Sequence, residues 1–300
     1  METFALIFVS IFTGYIINFK KIFAQNTPII LNQFILYISL PAMVFLQIPK
    51  LTFSFDIIIP VVISYGVMAF SALFIFYISK VLQFSREVTG SLMLVGVLGN
   101  TSFVGIPVIQ AYFGESALPY VLIYDQLGSF IVLSTYGTFI SVYYSREDNV
   151  DVKAIAIAIK IITFPTFIAL LTSLFFIGTT FHPVITSVLS SLASTIIPLA
   201  LVSVGLQLKF KLPKEDMKPF AVAIGVKLLL APVIAICIAY LFTWENTVAD
   251  ISIIESAMGP MITAGAVASM AGLSPRLSSA VVGYGTILSL LTSWMFFTVL

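Results

Sequence analysis

Apolar runs of membrane-spanning length alternate with short polar segments from one end of the chain to the other. A helix needs about 20 mostly apolar residues to cross ~30 Å of hydrocarbon. Such runs fall at residues 3–18, 29–48, 57–79, 88–113, 117–144, 154–177, 183–208, 220–242, 248–272 and 277–300. The pattern predicts ten transmembrane helices. The first run is the shortest and competes with a signal peptide. It has Glu2 and no basic residue ahead of it, and no small-x-small cleavage pattern follows, so it reads as a span.

The polar segments between the runs are unequal in charge. Lys20, Lys21, Lys80, Arg86, Arg146, Lys153, Lys209, Lys211, Lys214, Lys218 and Arg276 fall on one side of the predicted membrane, and Lys50 alone on the other. Basic residues stay on the cytoplasmic side. Both termini are therefore expected outside the cytoplasm, with the clusters at 145–153 and 209–218 inside. No loop is long enough to form a soluble domain.

Composition agrees. Hydrophobic residues make up 60% of the chain and charged residues 9%, against about 25% charged in ordinary globular proteins. Fourteen Lys and Arg and thirteen Asp and Glu cannot cover the surface of a soluble protein that also holds 27 Phe. The chain is expected to partner a lipid bilayer. A net charge of +1 argues against nucleic acid, which needs clustered basic residues. One cysteine, Cys237, rules out an internal disulfide and a Cys-rich metal site. The single histidine, His182, precedes Pro183 in an outer loop, and no P-loop, HExxH or CxxC occurs. No enzyme and no cofactor are expected.

Ten runs divide into two fives at the polar segment 145–153, giving residues 1–145 and 154–300. Landmarks recur between the halves. Leu40-Pro41-Ala42 matches Ile197-Pro198-Leu199, Gly99-Asn100 with Gly105 matches Gly259-Pro260 with Gly265, and Gly114 matches Gly272, at offsets of 157, 160 and 158. Five is odd, so the second half starts from the opposite face. The fold class predicted is an all-α membrane protein of two inverted five-helix repeats, as in many secondary transporters. Spans 4 and 9 are expected to be broken and to cross. Gly99, Gly105 and Pro107 weaken the helix around Asn100, Thr101 and Ser102, and Gly259 and Pro260 do the same beside Thr263. Each break exposes the N-terminus of a half-helix, with unpaired N–H groups and a positive dipole end. Two such ends meeting near the midplane favour an anion. The expected substrate is a small organic anion such as a carboxylate, bound at Gly99, Asn100, Thr101, Ser102, Gly105, Pro107, Gly259, Pro260 and Thr263.

At these residues the sequence resembles the auxin efflux carrier family in its short prokaryotic form. The matching stretches are Leu31-Asn32-Gln33-Phe34 through Leu40-Pro41-Ala42, Gly99-Asn100-Thr101-Ser102-Phe103-Val104-Gly105-Ile106-Pro107, and Pro198-Leu199-Ala200-Leu201 through Gly205-Leu206. The resemblance implies ten spans, with spans 1, 2, 6 and 7 as a scaffold and spans 3, 4, 5, 8, 9 and 10 as a moving transport domain. It also implies a homodimer, and an architecture similar to that of the sodium–bile acid symporters. Members carry auxin in plants and are linked to malate-like or malonate-like carboxylates in bacteria. The central loop here is short, without the long hydrophilic segment of plant members. No Asn stands beside Pro260, so any amide contact there in relatives does not carry over.

Four ionisable residues fall within the runs: Asp125, Lys160, Lys227 and Glu255. Each costs on the order of 3 kcal/mol at the bilayer centre on insertion scales. The two lysines lie seven or eight residues from the cytoplasmic end of their helices and are expected to snorkel to the interface, Lys227 being the better placed to pair with an acid or substrate. Asp125 and Glu255 are too short to snorkel and are the expected ion-coupling residues, for Na⁺ beside unwound backbone carbonyls or for H⁺. Tyr15, Tyr37, Tyr65, Tyr124 and Tyr284 are candidates to line a pathway. The function expected is a secondary carrier of a small organic anion in the cell membrane. The alternatives are a sodium- or proton-coupled symporter of the bile-acid-symporter type, a channel, and a non-transporting membrane sensor.

Overall fold

Among the described residues, four helix starts carry their own capping side chains. Ser85 Oγ accepts from the Val88 N–H at 3.3 Å, Asn100 Oδ1 from Phe103 N–H at 3.2 Å, and Asn246 Oδ1 from Ala249 N–H at 3.0 Å. Each satisfies one of the N–H groups a helix leaves orphaned at its start. His182 has the same role, its Nδ1 accepting from Val184 N–H ahead of Pro183.

A computed structural model describes residues 2–51, 54–145, 154–208 and 214–300. Arg146, Lys153, Lys209 and Lys211, part of the basic loop set, lie outside the described residues. Those described form helices and a single isolated β-bridge, with no strand. In chain order the helices are α1 (Glu2–Phe19), α2 (Thr27–Lys50), α3 (Phe55–Val81), α4 (Arg86–Val95), α5 (Thr101–Phe113), α6 (Glu115–Tyr144), α7 (Ala154–Ile162), α8 (Pro165–Phe176), α9 (Pro183–Gln207), α10 (Met217–Leu241), α11 (Thr247–Ser256), α12 (Ile262–Met270) and α13 (Pro275–Phe297). Six of these, α2, α3, α6, α9, α10 and α13, are long and apolar enough to cross a membrane. A seventh span arises if α7 and α8 count as one.

Three apolar runs are each realised as two helices. The runs at 88–113 and 248–272 break where the glycines and Pro260 were expected to break them. Pro107 takes no part. It sits inside the first regular turn of α5, after the break, where its missing N–H costs little. The third interruption, a 63° bend between α7 and α8, was not anticipated. Pro165 forces the preceding Phe164 out of the helical region, to φ −72° and ψ 125°.

Packing sorts the helices into two groups. In the first, α1 and α2 both pack on α9, and α2 also packs on α8. Two glycines let α1 and α9 touch backbone to backbone: a Cβ on Gly205 would lie 2.9 Å from Tyr15 N and 3.0 Å from Gly14 Cα. Hydroxyl groups tie the α2–α9 contact, Ser39 to Thr195 at 2.7 Å and Ser203 to Asn32 Oδ1 at 2.6 Å. In the second group α3 packs on α6, α10 and α11, while α4, α12 and α13 pack on one another.

Candidate functional site

The two breaks in the second group lie against each other. Asn100 N–H donates to the Gly259 carbonyl at 2.8 Å, and Met261 N–H to the Leu98 carbonyl at 2.9 Å. Gly99 and Pro260 thus face each other as one antiparallel bridge. Backbone away from water must find partners, and here each break supplies them to the other. Each half of the bridge also needs a small neighbour. Gly285 of α13 leaves the room that the Pro260 ring fills, and a Cβ on Gly259 would lie 2.8 Å from Thr286 Cα.

From this junction α5 departs with a widened turn over Thr101–Gly105, closed by Gly105 N–H on the Asn100 carbonyl at 3.0 Å. Beside it, α6 is widened over Tyr124–Phe130. Such π-type turns rotate the residues that follow and are frequent at functional sites. Together they aim Asp125 at α5. Its Oδ1 accepts from Thr101 Oγ1 at 2.5 Å and Ser102 Oγ at 2.6 Å, and its Oδ2 from Gln126 Nε2 at 2.6 Å. Three donors leave the carboxylate fully engaged. Thr101 and Ser102 spend their protons on Asp125 and keep only acceptor capacity for a ligand.

A cavity of about 190 Å³ opens beside these groups. Asn100, Thr101, Ser102 and Asp125 line it on one side, with Met261 and Thr263 from the start of α12. Leu36 of α2, Lys160 of α7 and Phe164 of the α7–α8 bend also line it, so residues of both helix groups border the cavity. Phe130 of α6 stacks on Phe164 at 4.4 Å between ring centroids. Asn100 is buried, and its Nδ2 has no partner within the protein. Val267 lines both this cavity and a second one of about 510 Å³ that reaches Glu87, Ser145 and Gly272. A third, of about 600 Å³, lies among Lys21, Gln25, Gln207 and Ser269.

The sequence candidates therefore divide. Asn100, Thr101, Ser102, Thr263 and Asp125 line the cavity. Gly99, Gly259 and Pro260 form the junction behind it. Gly105 faces Glu255 instead: a Cβ there would lie 2.5 Å from both carboxylate oxygens. Pro107 is buried elsewhere in α5. Glu255 is fully buried, and neither of its oxygens has a hydrogen-bond partner. Lys227 does not snorkel. It is 2% exposed, and its Nζ donates to the Ser256 carbonyl at 2.9 Å. Lys160, also expected to snorkel, is exposed and lines the cavity. None of the five candidate tyrosines lines it. Sequence reasoning missed Phe130, Ser134, Thr138 and Phe164 as lining. The one signal for Phe164 was the proline after it.

A family model described as a membrane transport protein matches residues 1–297. An uncharacterized transporter of Methanocaldococcus jannaschii is 27% identical over 268 residues, spanning 86% of this chain and 85% of the relative. An uncharacterized transporter of Methanothermobacter thermautotrophicus is 22% identical over 299 residues, spanning 97% and 95%.

Proposed function

The chain belongs to the membrane transport protein family, and on that premise we propose that this multi-pass membrane protein is a secondary carrier of a small organic anion, a carboxylate. The observation that carries the reading is the cavity between the helix groups. The Thr263 hydroxyl, the Lys160 ammonium and the starts of α5 and α12 present donors or positive dipole ends to it, and the unpartnered Asn100 amide is buried in its wall. At about 190 Å³ it is smaller than the ~300–1,000 Å³ of pockets for drug-sized ligands, which favours a compact substrate. Asp125 borders the same cavity, and three hydrogen bonds already hold its carboxylate.

Ten spans in two inverted repeats, residues 1–145 and 154–300, remain the architecture that fits best. Two observations support it. The junction bonds are reciprocal: Asn100 and Met261 each donate to the residue two before the other. Gly114 and Gly272, the third landmark pair, follow α5 and α12 with φ of +79° and +72°. In this reading α1, α2, α7, α8 and α9 form the scaffold. The second helix group moves against it, carrying the site between faces of the cell membrane, with both termini outside the cytoplasm. The two larger cavities adjoin segments on the Lys- and Arg-rich side, which supports an arrangement open to the cytoplasm.

Glu255 is the better coupling residue of the two acids, because its oxygens have no partner while those of Asp125 are saturated. A proton bound there would change the cost of moving the site through the membrane. Proteoliposomes tested against a panel of carboxylates decide the function. A carrier shows saturable uptake and counterflow. Conductance without saturation would make it a channel, and binding without flux a sensor.

A further inference from the structure

Where α11 ends, three sources of negative potential converge. The last carbonyls of a helix lack intrahelical partners and form the negative end of its dipole. Here they include Ser256 O, next to the buried Glu255 carboxylate, with Asp125 close enough to act on Glu255 through its charge. Such a place, roofed by protein and holding an unpartnered carboxylate, is balanced by a proton on the carboxylate or by a cation. A cation is present. The widened turn Val226–Leu230 in α10 turns Lys227 inward, and its Nζ reaches Ser256 O, one residue from Glu255, at 2.9 Å. The backbone of the neighbouring break is cut away to admit it: a Cβ on Gly99 would lie 3.0 Å from Nζ and 3.2 Å from Cε. A buried ammonium has three protons to place, and one of them goes to the Ser256 carbonyl.

We propose that Lys227 is a tethered counter-cation at the junction of the two breaks, filling from within the protein the position a bound alkali ion would need, so that the junction assembles without Na⁺ or K⁺. This deepens the carrier reading by naming what balances Glu255, but it concerns the protein before any substrate binds. Its test therefore needs no substrate.

The measurement is thermal unfolding of purified protein in detergent, in NaCl, KCl or choline chloride at equal ionic strength, with and without ethylammonium. The wild type should unfold at one temperature in all three salts. Lys227→Ala should be destabilised in choline and recover, saturably, with ethylammonium or Na⁺, because either fills the vacated position. A saturable stabilisation of the wild type by Na⁺ over choline would overturn the proposal, since the site would then take a free ion with the lysine in place. So would a Lys227→Ala protein as stable as wild type and indifferent to every cation. If Lys227→Ala alone does not fold, Lys227→Ala/Glu255→Gln removes both charges and should fold without added cation; failure of the double variant also overturns the proposal. A carrier reading refuted by flux assays would leave these outcomes unaffected.

Discussion

Asn100 does two things with one side chain. Its oxygen caps α5 and its nitrogen is buried without a partner in the cavity wall. Asn100→Ala therefore loses a cap and a ligand donor together. Each is a hydrogen bond with a net value of about 1 kcal/mol, so substrate affinity in counterflow should fall roughly fivefold, with a modest drop in melting temperature. The two buried acids should separate in the same assays. Asp125→Ala strands three donors, at about 1–3 kcal/mol for each that water does not reach, and should lower the melting temperature markedly. Glu255→Gln has no hydrogen bond to lose but leaves the buried Lys227 ammonium without its balancing charge, so it should also lower the melting temperature, abolish gradient-driven accumulation and leave exchange intact. Accumulation that persists in Glu255→Gln with its ion dependence unchanged would make Glu255 structural.

Among the helices, the contact least able to yield is that of α1 with α9. At Gly205 the atoms a methyl group would meet are backbone, including Tyr15 N and Gly14 Cα, and backbone cannot rotate away. Gly205→Ala should push the pair apart and destabilise the protein by about 1–3 kcal/mol, the usual range for overpacking. A melting temperature equal to wild type would mean that α1 shifts freely on α9. The contrast with Gly105 is instructive. There the clash is with the end of the Glu255 side chain, which can turn, so Gly105→Ala should disturb transport more than folding. The α7–α8 bend belongs to the same scale, since Pro165 places Phe164 on the cavity wall.

For the whole molecule the decisive quantity is which loops share a side of the membrane. Lys20 follows α1 and Glu115 begins α6, and both are exposed. With Cys237 replaced, single cysteines at Lys20 and Glu115 should react with a membrane-impermeant reagent from opposite sides, Lys20 from the cytoplasm. Labelling of both from one side would remove the ten-span arrangement and with it the inverted repeat. The grouping of helices makes a related point about movement. Between the groups lie the cavity and the Phe130–Phe164 stack, while the junction of the two breaks lies wholly within one group, so the proposed carrier motion would take both breaks together.

Hydropathy by itself determined that the chain is an all-helical membrane protein, and glycine and proline determined that the runs at 88–113 and 248–272 break. These are properties of local composition: transfer free energy adds along the sequence, and glycine and proline act on their own turn. The glycines also marked the junction, because close backbone approach demands them wherever it occurs. Which ionisable residue faces which partner was decided only by tertiary structure. Lys160 and Lys227 read alike in sequence, yet one borders the cavity and the other is locked on Ser256. The difference lies in a widened turn of α10 and in what α11 and the Gly99 break place around it. Asp125 and Glu255 likewise read as equivalent acids until Thr101, Ser102 and Gln126 were seen to converge on one and nothing on the other. Pairing across 23 or 29 residues depends on helix rotation and crossing, and no local pattern carries that information.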